Sequence, residues 1–326
     1  MSDLPLVSIS CITFNHAKFL RECFDGFLMQ KTNFKFEVVI HDDASTDETK
    51  GIIEKYTNKY PDIFFPMYQK ENQYSKGVRG MMVKFNFPRC RGKYIALCEG
   101  DDYWTDENKL QKQVDFLEVN PKSVLCFHQI SKLFQDGSVI QQKSSQFQKN
   151  ISNRRHLINI NYIATLSVVF KNDSSALERV AKFGKLCMGD YPLYLALLTK
   201  PDDEILFIDE LMAVYRAGRP ESVSNATDNK IFHQDCIKIY KALPSIYDNL
   251  NPDEKRSIVN GLARENMNIY KSYMNERKIV PSIKYSLKAL YNTLKLKFLK
   301  GSNEYDYNLH SLAFGFKAGI RKYLKN

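Results

Sequence analysis

Apolar positions along this chain change their period repeatedly over its first two hundred residues. Leu6 to Thr13 is a short run rich in β-branched residues, the pattern of a buried strand. Phe19, Leu20, Cys23, Phe24, Phe27 and Leu28 then recur at helical spacing and mark one face of a helix. Phe36 to Ile40 predicts a second strand. Ser45 and Glu48 have the spacing of a capping box, opening a helix that buries Ile52, Ile53 and Tyr56. Ile63 to Tyr68 and Tyr94 to Cys98 predict two further strands, and Leu110, Val114 and Leu117 another helical stripe. Strands alternating with helices argue for a mostly parallel, Rossmann-like α/β sheet covered on both faces. In such sheets ligands bind beyond the carboxyl ends of the strands. That rule selects Phe14-Asn15-His16 after the first strand and His41-Asp42-Asp43-Ala44-Ser45 after the second. After the fourth it selects Glu99-Gly100-Asp101-Asp102-Tyr103-Trp104.

Further along, short strands from Ser123 to Gln141 flank the turn Asp136-Gly137, and Asn161 to Phe170 is another strand candidate. Ser174 to Phe183 predicts a helix, and Ile205 to Arg216 reads as strand-turn-strand. The polar stretch Ala217 to Thr227, with its glycine and proline, marks a domain boundary. The expected division is 1–226, with a nucleotide half over about 1–105 and an acceptor half over about 106–226, followed by 227–326 as a basic helical region. Within that last region Ile283, Leu287, Leu290 and Leu294 share one helix face.

Composition refines this picture in three ways. Hydrophobic content of 44% with 26% charged residues fits an ordinary soluble domain, and no apolar run reaches the length of a membrane span. The start, Met1-Ser2-Asp3-Leu4-Pro5, lacks a basic stretch leading into an apolar one, so no signal peptide is expected. The seven cysteines are scattered without a C-x-x-C pair, which leaves a zinc or thioredoxin-like centre unsupported, and their odd count fits reduced thiols in cytoplasm. The net charge of +10 is uneven: Thr227 to Asn326 carries 18 Lys/Arg against 9 Asp/Glu, while the rest is nearly balanced. A basic tail of this kind suits an anionic partner surface.

Two acid pairs carry the candidate chemistry. Asp101-Asp102 follows an apolar strand, where adjacent like charges repel unless a cation or a donor occupies the site. Mg²⁺ or Mn²⁺ takes one or two protein carboxylates together with substrate phosphates, so the pair is a candidate metal site, set against a solvated acidic turn. Asp42-Asp43, at the neighbouring strand end, can accept hydrogen bonds from a nucleoside, set against capping of the next helix.

These residues, read in order, carry a resemblance. Val7-Ser8-Ile9-Ser10-Cys11-Ile12-Thr13-Phe14-Asn15, then Asp42-Asp43-Ala44-Ser45-Thr46-Asp47, then Gly92-Lys93-Tyr94-Ile95 leading into Asp101-Asp102 resembles the family-2 glycosyltransferases. The likeness runs from about Pro5 to Thr227. It implies a GT-A fold and transfer of a sugar from a nucleotide diphosphate, UDP by resemblance, to an acceptor hydroxyl with inversion, in cell-surface polysaccharide synthesis such as capsule or O-antigen. It further implies that Thr13, Phe14 and Asn15 line the base and ribose, with Asp43 at the uracil and Asp42 beside it. Asp101 and Asp102 resemble the D-x-D signature that holds Mn²⁺ or Mg²⁺, Asp102 being the direct ligand, while Glu99 stands where many members carry the first acid. Asp190, in Met188-Gly189-Asp190-Tyr191, resembles the catalytic base, set against an N-cap ahead of Pro192. Arg216 resembles a phosphate-binding arginine, though Ala217-Gly218-Arg219 replaces the histidine that often follows; a surface ion pair is the alternative. Lys76 and Arg79 are further phosphate candidates.

Trp104 can stack on a sugar or line the core, and His16, His41 and His128 read as structural. A nucleotidyltransferase or a dehydrogenase would want a glycine-rich loop where Phe14-Asn15-His16-Ala17 stands. A non-catalytic sugar-nucleotide-binding protein is the other alternative. No nucleic-acid-binding signature accompanies the basic tail, and no nucleic-acid partner is expected. The expected partners are a nucleotide-sugar donor and a saccharide or lipid-linked saccharide acceptor. The expected location is cytoplasmic, with the basic C-terminal helices either touching the inner face of a membrane or packing on the catalytic domain.

Overall fold

The computed structural model describes residues 4–141, 150–219 and 228–298. The chain divides into two compact units, Met1–Arg154 with Tyr162–Asn225, and Arg155–Asn161 with Ala226–Asn326.

The first unit is built on one mixed sheet. Its parallel half follows the alternation read from the sequence: β1 (Val7–Thr13), α1 (Leu20–Leu28), β2 (Phe36–Asp42), α2 (Thr49–Lys59), β3 (Phe64–Tyr68) and β4 (Tyr94–Leu97). β1 lies between β2 and β4, all parallel, with Thr13 level with Asp42. Beyond β4 come β5 (Tyr103–Trp104), α3 (Lys109–Val119), β6 (Ser123–Leu133), β7 (Val139–Gln141), β8 (Ile151–Asn153), α4 (Arg154–Asn159), which after its first residue belongs to the second unit, β9 (Val169–Lys171), α5 (Ser174–Ala181), α6 (Asp190–Leu197) and β10 (Glu204–Arg216). The strand order is β3-β2-β1-β4-β9-β6-β10-β5; β9 and β5 run antiparallel to their neighbours, and β7 and β8 pair with β6 and β10. The fold is of the GT-A type.

Alternation along β1 sorts its side chains to two faces. Val7, Ile9 and Cys11 join Leu20, Phe24, Phe27, Ile53, Leu110 and Val114 in one core, all within 4% of complete burial. Each large side chain there contributes about 1.5–3 kcal/mol relative to exposure. Ser8 and Ser10 turn to the other face, where burial must be matched by hydrogen bonds. Ser8 Oγ donates to Glu37 at 2.6 Å, and Asn86, on a π-helical turn, donates to Ser10 Oγ at 3.1 Å and Cys11 O at 3.0 Å.

Three local expectations need correction. Ser45 caps no helix: its hydroxyl donates to Asp42 at 2.5 Å, and Thr49 N is instead satisfied by Asp47 at 3.0 Å. Asn161 to Phe170 is mostly not strand; a 3₁₀ turn at Thr165–Ser167 precedes the short β9, and the Leu166 carbonyl accepts Trp104 Nε1 at 3.1 Å instead of a strand neighbour. Ile205 to Arg216 does not turn back on itself. It is one strand whose bulges near Ile208–Ala213 absorb the polar residues Asp209 and Glu210.

The second unit packs α7 (Asn229–Ile246), α8 (Pro252–Asn275) and α9 (Ile279–Phe298). α8 opens with a capping box between Asn251 and Glu254. Tyr240 lies against Gly261, where an added Cβ would sit 2.3 Å from the ring. Arg264 then bridges Tyr240 Oη at 2.6 Å and Glu265 at 2.8 Å, and Glu265 also meets His233 Nδ1 at 2.7 Å.

Candidate active site

The parallel half brings the ends of β1, β2 and β4 to one edge, and the loops beyond them interlock. Asn15, with φ of 54°, donates its backbone N–H to Ser45 Oγ at 2.9 Å and accepts Thr46 N on Oδ1 at 2.8 Å. Ala44 also adopts positive φ, at 61°, in the turn that follows the acid pair. Asp43 N donates to Thr13 O at 3.0 Å, tying the second loop to the first strand. Phe14 stands exposed at this edge, whereas Thr13 is buried with its hydroxyl unpartnered.

Asp42 and Asp43 are both buried, and both are engaged by the chain. Asp42 accepts the amide and hydroxyl of Ser45, and burial raises its carboxyl above the ordinary range against those bonds. Asp43 accepts Gln73 N at 2.8 Å and Tyr74 N at 3.0 Å, one on each oxygen. It thereby anchors the loop carrying Lys76 and Arg79. Each oxygen keeps a lone pair for a further donor. Lys76 pairs with Glu71 in solvent, and Arg79 stacks on Tyr74 while donating to Tyr74 O and Val78 O at 2.8 Å. The loop's far end, Gly80, lies 3.8 Å from the Cβ position of Gly189, beside Asp190.

The turn after β4 is tightly packed. A Cβ on Gly100 would meet Leu20 Cδ1 at 2.9 Å and Thr13 Oγ1 at 3.0 Å, so the turn admits glycine. β5 pairs antiparallel with β10, Val214 level with Tyr103, which carries Arg216 onto the acid pair. Arg216 N donates to Asp102 Oδ1 at 2.9 Å, and its guanidinium reaches Asp101 O and Glu22 while lying over Tyr103 at 4.5 Å. Arg216 is itself buried and multiply bonded, while Glu22, its ion-pair partner, is exposed. Arg219 pairs with Asp101 Oδ2, and His16 Nε2 approaches the same oxygen at 3.9 Å. Asp101 Oδ1 is buried with no hydrogen-bond partner.

Electrostatics mark this as a strained concentration of acid. Burial, then the neighbouring Cys98 and Glu99, holds the Asp102 carboxyl well above its usual range. Burial and then the charge of Asp190 push Glu99 up to about 7, opposed by Arg219. That coupling brings Asp190, the first residue of α6, into the same group. Burial and then Arg219 push His16 down to about 3, so the ring is neutral at physiological pH. The hard oxygens of Asp101 and Asp102, one of them orphaned, fit a divalent cation. Among the described residues no group of three or more His, Cys, Asp or Glu side chains is arranged to hold a metal ion. A cation held largely by substrate phosphates requires only one or two protein carboxylates.

The predicted residues thus fall into one neighbourhood, with two qualifications: Lys76 and Arg79 occupy a loop with partners of their own, and Trp104 is a core residue. Trp104 is buried edge-on to Phe27 at 4.8 Å between ring centroids. Sequence reasoning missed Arg219, Glu22 and the contact of His16 with Asp101. The signal for Arg219 was its position three residues after Arg216, uninterpretable without the β5–β10 register.

The uncharacterized protein Rv1520 of Mycobacterium tuberculosis is 39% identical over 217 residues, covering 64% of this chain and 58% of the relative. The chain therefore spans less than two thirds of that relative's length. The putative teichuronic acid biosynthesis glycosyltransferase TuaG of Bacillus subtilis is 29% identical over 134 residues, 41% of this chain and 50% of TuaG. The crystal structure of S. aureus TarS 1-349 in complex with UDP-GlcNAc superposes with a TM-score of 0.55 at 16% identity, over 87% of this chain and 91% of that one. The profile of glycosyl transferase family 2 matches residues 8–177 of the 326. That match spans just over half of the chain, and the chain belongs to glycosyl transferase family 2.

Proposed function

We propose that this chain transfers a sugar from a nucleoside diphosphate, UDP as the expected nucleotide, to an acceptor hydroxyl with inversion at the anomeric carbon. The observation that carries the reading is the buried Asp101–Asp102 pair, with one orphaned oxygen, at the strand edge beside Thr13, Asn15 and Asp190. Exposed Phe14 offers a flat face to the base, and Thr13, Asn15, Asp42 and Asp43 offer acceptors and donors to the nucleoside. Asp102, with Asp101, would hold Mn²⁺ or Mg²⁺. Such an ion stabilises negative charge on the departing diphosphate. Arg216, Lys76 and Arg79 supply cationic donors for phosphate oxygens. Asp190 takes the proton of the acceptor hydroxyl as its oxygen bonds to the anomeric carbon and the bond to the diphosphate breaks. Gly189, not Asp190, is the N-cap of α6, and the action of the Asp190 charge on Glu99 supports its place near the acid group. No protein nucleophile is required, and the transition state is oxocarbenium-like.

The name of TuaG supports an acceptor in cell-surface polysaccharide assembly, a saccharide or a lipid-linked saccharide. TarS bound to UDP-GlcNAc supports a uridine donor. Seven free cysteines support a cytoplasmic setting. The nucleotide half over about 1–105 and the acceptor half over about 106–226 are part of the same reading.

A screen of nucleotide sugars, each with Mn²⁺ or Mg²⁺, tests it by following release of nucleoside diphosphate. The proposal expects UDP from one UDP-sugar, faster when a saccharide acceptor is added. Pyrophosphate release in a parallel assay that supplies a nucleoside triphosphate and a sugar 1-phosphate would make the chain a nucleotidyltransferase, and no turnover in either assay would make it a binding protein.

A further inference from the structure

Helix α9 turns the wrong face to its neighbour for an ordinary packed helix. Ser282, Ser286, Ala289 and Thr293 recur at i, i+4, i+7 and i+11, are all at most 5% exposed, and form the face that packs along α8. Small side chains fill that seam. The bulky residues one position on, Ile283, Leu287, Leu290 and Leu294, are 40–58% exposed, and Tyr291 widens the strip. An amphipathic helix packed in the usual way would bury this stripe. At about 100° per residue, Lys284, Lys288 and Lys295 line the flank of the stripe away from the α8 seam.

The charge around the stripe identifies what it fits. Between Ile279 and Phe298 the sequence has four lysines and no acidic residue. Lys241, from α7, adds to them: burial and then the charges of Lys284 and Lys241 lower the Lys288 ammonium below its ordinary value. Cations that repel one another beside exposed leucines call for an anionic surface with an apolar interior. A second copy of the same face would set lysine against lysine. We propose that this face of α9 docks on an anionic lipid bilayer, the leucines entering the headgroup–acyl boundary and the lysines meeting lipid phosphates. This inference does not depend on the catalytic reading.

Flotation of the full chain with phosphatidylglycerol-containing vesicles, and with pure phosphatidylcholine vesicles, tests the proposal. The expected result is flotation with the anionic vesicles only, weakened by added salt. Lys284→Gln with Lys288→Gln should lower partitioning by roughly 30-fold, at about 1 kcal/mol for each lysine near the surface. Leu287→Ser with Leu290→Ser should lower it as well. Because these side chains are exposed, the thermal midpoint and turnover with a soluble acceptor should not move, which separates lost docking from lost folding or lost catalysis. Flotation that is absent, equal on neutral vesicles, or unchanged in both double variants would overturn the proposal. So would a dimer in lipid-free solution that the leucine substitutions dissociate, which would assign the stripe to a second copy.

Discussion

Asp101 divides its groups among three tasks: its carbonyl accepts Arg216, Oδ2 pairs with Arg219 and Oδ1 has no partner. Arg219 is therefore already committed to the acid that the reading assigns to a metal, and its charge also acts on Glu99 and His16. A guanidinium so placed can pass from carboxylate to diphosphate when donor binds. Arg219→Gln should weaken UDP binding roughly tenfold, the worth of one charge-assisted hydrogen bond, as read by calorimetry; unchanged affinity would leave Arg219 a structural brace. Asp190 belongs to the acceptor side. Asp190→Asn should cut transfer by about 10²-fold or more with UDP affinity unchanged, and an affinity that collapsed with activity would make Asp190 a donor ligand. The placing of the two acid pairs beyond strand ends was legible in the sequence from the apolar runs before them, whereas Asp190 was picked out by resemblance alone. Arg219 was not, since nothing local shows that β10 ends beside β5. Ser45 was misread because its spacing to Glu48 mimics a cap, whereas the buried Asp42 carboxylate is the stronger acceptor for its hydroxyl.

Among the elements, those with a strict period were recoverable: β1, α1, β2 and α3 match their apolar patterns to within a residue or two. β10 was not, because its exposed Asp209, Glu210 and Leu211 sit on bulges that break the alternation and look like a turn. α3 hides a feature that no pattern signals. Its Lys109 is fully buried, donates to Gln113 at 2.7 Å and lies 3.9 Å from the Trp104 ring centroid. Burial pushes this ammonium down to about 7 from an ordinary 10.5. Between those values the unfolded chain binds a proton that the folded chain has lost, so this group makes stability rise with pH across that window. Below about 7 both states are charged and its contribution is flat. Lys109→Met should abolish the rise: urea unfolding at about pH 6 and about pH 9 should show the wild type gaining on the variant. Parallel behaviour of the two proteins would place the ammonium in contact with solvent.

At the scale of the whole molecule, charge and apolar pattern separate two kinds of surface. The sheet unit concentrates buried acid at one strand edge, while the basic excess lies in residues 227–326, of which 299–326, expected to be helical, fall outside the described residues. That asymmetry was legible in the sequence; the grouping of Arg155–Asn161 with the helices was not, since it depends on contacts distant in sequence. No helix among the described residues is long and apolar enough to cross a membrane. The central claim is that the Asp101–Asp102 edge supports sugar transfer from a nucleoside diphosphate. It is tested most directly by the rate of UDP release from the sugar nucleotide that the screen selects. Wild type and Asp102→Ala are compared, each with Mn²⁺ and with a chelator, and circular dichroism is used to establish that both are folded. The account predicts turnover for the wild type with Mn²⁺, and loss of at least about 10²-fold either on chelation or on substitution. Turnover by Asp102→Ala at the wild-type rate would contradict it.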